Sequence, residues 1–259
     1  MTTTEVPLHR PVSEPVLGRR AWVEHVMGMP VSVHVRAVDP DRPDIQAALD
    51  GLHAHLRRVD EVLSTWRADS DLLRLQFGEV GTEQVHAWVA DVTELCLEAE
   101  DLTDGLFCAW RSRDGGRLAF DPTGLVKGWG VAGAAAHLEV VDQVAWCVGA
   151  GGDLLAGTGR GVRTPPAWRI GIQDPRDATR VADVLTLTRG AVATSGAAVR
   201  GAHVLDPRTG RPVVRAGSTT VSGPDLVRAD VWATAAWVDP VQAARLMQAR
   251  DPAYRLLVL

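Results

Sequence analysis

Lysine is all but missing from this chain. Of its 27 basic Lys and Arg residues only Lys127 is a lysine, and the arginines form no extended basic run. With a formal net charge of −5, this argues against nucleic acid or an anionic membrane as the main partner. Cysteine is scarce as well. Cys96, Cys108 and Cys147 are odd in number, widely spaced and free of any Cys-x-x-Cys pair, which argues against a disulfide framework and a cysteine-rich metal site. No run is apolar enough to span a bilayer. The opening MTTTEVPLHRPVSEPVLGRR carries neither an apolar core of signal-peptide length nor a lipidated cysteine, so the expected location is cytoplasmic. Internal repeats and low-complexity linkers are also absent. In VGAGGDLLAGTGRG no three glycines stand in Gly-x-Gly-x-x-Gly register, and strand-like residues follow Gly152, which argues against a Rossmann dinucleotide site.

What remains is an ordinary globular composition, 46% apolar with 25 glycines and 15 prolines over 259 residues. Residues 1–20 read as a flexible lead-in and 21–259 as one domain. Strand character runs from Trp22 to Val38, with alternation at Val31, Val33 and Val35. Ile45, Leu49, Leu52, Leu56, Val59 and Leu63 recur at helical spacing; His53 and His55 on that helix face different directions and make no ligand pair. The polar stretch Ser64 to Leu75 leaves the helix, and Thr82 is expected to cap a second one running through Val85, Val89, Val92, Cys96, Ala99 and Leu102. Cys96 lies on its apolar stripe, as a small buried hydrophobe does. Short strands and turns fill the second half, then helices near Asp225 to Val238 and Val241 to Ala249, and a closing strand, YRLLVL. The fold class expected is α+β, one domain with a mixed β-sheet core flanked by helices.

Two stretches concentrate chemistry. In PDLVRADVWATAAWV, with Pro224 expected at the first helical position and Ser222 as its cap, Asp230 and Thr234 fall one turn apart inside the apolar sector of Val227, Val231, Trp237 and Val238. A carboxylate on a buried face must meet a cation: either an arginine inside the fold, or a hard metal such as Mg²⁺ or Ca²⁺ with the threonine hydroxyl as second ligand. In FDPTGLVKGWGVAGAAAHL the lone lysine heads a Gly/Ala-rich helix, where an ammonium could meet a phosphate. Among so many arginines, its survival hints that a compact point charge is wanted there. A third stretch, GAHVLDPRTGRPV, reads as a hairpin whose turn is Asp206 to Gly210 and whose first strand carries His203.

Taken in order, MGMPVSV, LSTWRADSDLLRL, TDGLF, DPTGLVKGWG, GAGGDL, WRIGIQDP, AVATSG, HVLDPRTGRPV and ADVWATA resemble the ApbE-type flavin transferases, enzymes that move FMN from FAD to a protein. The resemblance runs from Met27 to about Val238. It implies an FAD site lined by Met27, Trp66, Leu106, Phe107, Cys108, Asp121, Lys127 and Val204, and Mg²⁺ held by Asp230, Thr234 and the Gly124 carbonyl. His203, in the family's His-x-x-Asp-Pro-x-Thr-Gly motif, and Lys127 are the catalytic residues it implies. The activity implied is Mg²⁺-dependent flavinylation of a Thr or Ser hydroxyl on an acceptor protein, with release of AMP. Rivals on the same site are an FAD diphosphatase and a non-catalytic FAD-binding protein. Two positions depart from the family: Cys108 and Ala132 stand where aspartates are usual.

Overall fold

A computed structural model of the chain describes residues 16–112, 118–196 and 204–259. Where the expected strand lies, the described residues form a hairpin, not one long strand. β1 (Gly18–Val26) and β2 (Met29–Ala37) are joined through Met27 and Gly28, whose φ values of 56° and 69° are what a two-residue I′ turn demands. β1 begins inside the stretch expected to be lead-in; residues 1–15 lie outside the described residues. Helix α1 (Pro43–Leu63) buries the predicted stripe from Ile45 to Leu63.

The polar stretch after α1 holds a short helix, α2 (Asp71–Gln76), because the Ser70 hydroxyl accepts the Leu73 amide at its N-terminus. Helix α3 (Trp88–Leu102) starts six residues after the expected cap: Thr82 only opens a 3₁₀ turn, Thr82–Gln84. The segment between is tied elsewhere. Asp71 accepts the His86 amide, and His86 Nδ1 in turn accepts the Trp88 amide.

Next come the short strands β3 (Trp110–Ser112) and β4 (Leu118–Phe120), then helix α4 (Thr123–Glu139). The second half supplies β5 (Ala145–Ala150), β6 (Asp153–Thr158), β7 (Trp168–Asp174), β8 (Asp177–Leu187) and β9 (Gly190–Gly196). β10 (Leu205–Asp206), β11 (Arg211–Pro212) and β12 (Ser218–Gly223) lead to α5 (Leu226–Val238), α6 (Pro240–Arg250) and β13 (Arg255–Val258).

The α+β architecture is the expected one. Its main sheet has seven strands in the order β1-β2-β5-β6-β9-β12-β13, antiparallel at each pairing. Alternation on β5 explains its position. Trp146, Val148 and Ala150 face the helical layer with Leu49, Leu52 and Leu138, while Ala145 and Cys147 face Trp168 of β7 on the opposite side. A strand covered on both faces reads as a nearly unbroken apolar run. Burial pushes the thiol pKa up to about 12 both for Cys147 on β5 and for Cys96 on the apolar face of α3, so both are inert packing groups.

One glycine there is sterically required. Across the β5–β6 ladder Gly157 pairs with Trp146, and a Cβ on it would stand 2.4 Å from the indole ring, which is itself 1% exposed. Gly157→Ala should therefore cost about 1–3 kcal/mol, read as a lower urea midpoint at unchanged slope.

Candidate active site

The site forms where the start of α4, the β5–β6 turn, the end of β9, the middle of α5 and the β10–β11 turn converge on a cleft of about 670 Å³. Its sides are apolar: Leu106, Phe107, Trp110 and Leu118 on one wall, Ile170 and Ile172 of β7 on another. Its floor is polar.

Lys127 lies in the second turn of α4, not at its head, because the helix already begins at Thr123, where Asp121 Oδ1 accepts both the Thr123 amide and hydroxyl. From there its Nζ reaches Asp153 Oδ2 at 2.6 Å and Asp230 Oδ1 at 3.6 Å. The Asp153 side chain is 0% exposed and that of Asp230 3%. The buried aspartate on α5 therefore meets a lysine, not an arginine. Burial pushes the Asp230 carboxyl up to about 7; the Lys127 ammonium opposes the rise and the Asp153 charge adds to it.

α5 itself is capped by Asp225, whose side chain accepts the Arg228 amide; Ser222, the expected cap, is still in β12. The helix is buried nearly all round, by Leu226, Ala229 and Trp232 as well as Val231 and Trp237. Thr234 sits one turn from Asp230, its hydroxyl 3.4 Å from Ser195 Oγ on β9. A Cβ on Gly124 would lie 3.8 Å from the same hydroxyl, so the first turn of α4 and the middle of α5 share this corner. Asp230 Oδ2 and Ser218 Oγ belong to residues that line the cleft, and among the described residues both atoms are buried and without a hydrogen-bond partner. An orphaned carboxylate oxygen, a hydroxyl and a nearby glycine backbone are hard donors that fit Mg²⁺, an ion that commonly takes one or two carboxylates and completes its shell with water and phosphate. Among the described residues, no cluster of three or more His, Cys, Asp or Glu offers a self-sufficient metal site.

The family model for ApbE matches residues 27–110 and 109–257. This chain belongs to the ApbE family. A Klebsiella pneumoniae protein named FAD:protein FMN transferase is 24% identical over 283 aligned residues, covering 86% of this chain and 80% of that protein. A Vibrio cholerae protein of the same name is 36% identical over 135 residues, which cover 48% of this chain and 39% of the relative. Among solved structures, the ApbE protein of Thermotoga maritima superposes with a TM-score of 0.73 at 20% identity, covering 93% of this chain and 94% of that one. Pseudomonas stutzeri flavinyl transferase ApbE gives 0.70 at 21% identity, with 93% and 94% covered. At such identities the structural likeness speaks for the fold.

Of the residues singled out from the sequence, Leu106, Phe107, Cys108, Asp121, Gly124, Lys127, Val204, Asp230 and Thr234 line one cleft. Two do not. Trp66 is 92% exposed and Met27 packs its side chain against the helical core from the β1–β2 turn; neither is part of the cleft lining. His203 lies outside the described residues, which resume at Val204.

Asp121 is shared between the α4 start and Arg111, whose Nε stands 3.0 Å from its Oδ2. Cys108, in place of the usual aspartate, sets its Sγ 3.6 Å from Glu100 Oε2, and burial raises its thiol pKa. Ala132, the other departure, is half-buried on α4 and does not line the cleft. Sequence reasoning missed Asp153, Ser195 and Ser218. The available signal for Asp153 was a lone acid after Gly151-Gly152 at the mouth of an apolar hairpin, where a buried charge requires a partner.

Proposed function

We propose that the cleft binds FAD and transfers its FMN portion to a Thr or Ser hydroxyl of an acceptor protein, releasing AMP. The observation that carries this reading is the polar floor. One ammonium lies between two buried carboxylates, beside the orphaned Asp230 Oδ2 and Ser218 Oγ, under walls suited to a flat aromatic ligand.

The acceptor oxygen forms a bond to the FMN phosphorus, and the bridging P–O bond to AMP breaks. The hydroxyl proton passes to a base, the role proposed for His203, and AMP leaves with the electron pair. Lys127, aimed at the floor, offsets charge growing on the leaving phosphate. Asp230, Thr234 and the Gly124 carbonyl would hold Mg²⁺, which when bound supplies charge neutralisation at a diphosphate. Leu106, Phe107 and Ile172 exclude water around the flavin end.

The test is incubation of the protein with FAD, Mg²⁺ and a candidate flavin-acceptor protein. The expected result is a flavin-fluorescent acceptor band that survives a denaturing gel, with AMP released in equal amount. AMP and free FMN without a band would instead make water the acceptor. A protein that binds FAD and yields no AMP would be a binding protein only.

A further inference from the structure

Asp153 has no part in the bond changes just described, yet it is among the most deeply buried charges of the site. The β6–β9 ladder explains its place. Backbone pairing runs from Ala156↔Gly190 to Leu154↔Val192 and stops there, and just beyond that end the Thr194 amide of β9 donates to Asp153 Oδ1 at 3.0 Å. One carboxylate oxygen is thus fixed by the sheet. The other meets Lys127 Nζ at 2.6 Å, a charge-assisted contact, whereas the 3.6 Å to Asp230 Oδ1 is outside hydrogen-bond range. The lysine pairs with both acids but stands closer to Asp153 than to Asp230.

We propose that Asp153 is a positioning residue that draws the Lys127 ammonium away from Asp230 and so leaves the Asp230 carboxylate open to a divalent cation. The inference rests on the cation reading above. Among the described residues, the other carboxylate paired with the ammonium is Asp230. A lysine closing that 3.6 Å gap to Oδ1 would set a fixed positive charge against the carboxylate whose Oδ2 faces the cation.

Asp153→Asn is the informative change: Asn keeps the volume and the oxygen that accepts the Thr194 amide, but turns a donor toward Lys127. Binding of Mn²⁺ to the flavin-free protein, read by electron paramagnetic resonance, isolates the effect from turnover. The expected result is Mn²⁺ affinity lowered by about ten-fold or more in D153N, and regained in K127Q/D153N, where no ammonium competes. K127Q alone, once circular dichroism shows it folded, should bind Mn²⁺ at least as tightly as the unmodified protein. D153N binding like the unmodified protein, a double variant as weak as D153N, or weakened binding in K127Q would each overturn the proposal. An unmodified protein that binds no Mn²⁺ would overturn the cation reading itself, and the positioning role with it.

Discussion

Asp230→Ala is expected to lower the transfer rate by at least about 100-fold while the protein still folds. The carboxylate contributes to function and little to stability. It sits at 3% exposure with its carboxyl pushed up to about 7, so near neutral pH its charge is only partly retained, and Lys127 keeps its shorter contact to Asp153 when it is removed. The sign of the pH effect follows. The folded state holds a proton on Asp230 that the unfolded chain gives up near the ordinary aspartate value, so stability falls as pH rises from about 4 to about 7. Asp230→Ala removes that slope. Urea unfolding at pH 5 and pH 8 in chelator should show the variant gaining on the unmodified protein at the higher pH, and a parallel loss at both would contradict it.

Lys127→Met is expected to abolish transfer and also to cost about 3–5 kcal/mol of stability, because it strands two acids in the interior with no cation between them. Calorimetry and the gel assay read the two effects separately. Lys127→Arg keeps the charge and should fold, yet the rate should still drop by about 100-fold through misplacement. The corner is tight. A Cβ on neighbouring Gly128 would stand 3.1 Å from the Leu226 carbonyl of α5, so a planar fork has little room to settle where the ammonium does. Full activity in that variant would mean that the single lysine has no special role.

Helical arithmetic made part of this site legible. Asp230 and Thr234 are one turn apart, and a buried acid on an apolar face announces a partner, so that half of the floor could be read from one segment. The partner could not. Lys127 and Asp153 meet across 26 positions of chain because the β5–β6 hairpin folds its turn onto α4, a juxtaposition with no local signature. Local rules also fell short at element ends. Thr82 and Ser222 have the chemistry of caps, but α3 begins at Trp88 without a side-chain cap, and at α5 it is Asp225 that accepts the Arg228 amide. Motif order carried Trp66 and Met27 to a ligand site; in the structure the Trp66 side chain is exposed and Met27 packs half-buried against the core, both outside the cleft lining. The alternation in β2 was plain at Val31, Val33 and Val35; that a turn at Met27-Gly28 precedes it depends on a positive φ at a methionine, which residue preference disfavours.

The two strands β7 and β8 form a ribbon of their own, unpaired with the seven-stranded sheet, and nearly every residue of β8 faces solvent. The ribbon is fastened to the sheet mainly through Trp168, Ile170 and Leu187 over Ala145, Cys147 and Ala156, with Arg36 stacked 3.9 Å from the Trp168 ring. So small a footing is expected to let the ribbon open locally at less than the cost of global unfolding. Its amide hydrogens should exchange with deuterium long before those of β5, which lies sealed beneath it. Since Ile170 to Gln173 are also a wall of the cleft, that local melting would admit a bulky molecule to the Lys127 floor while the sheet that holds Asp153 stays intact.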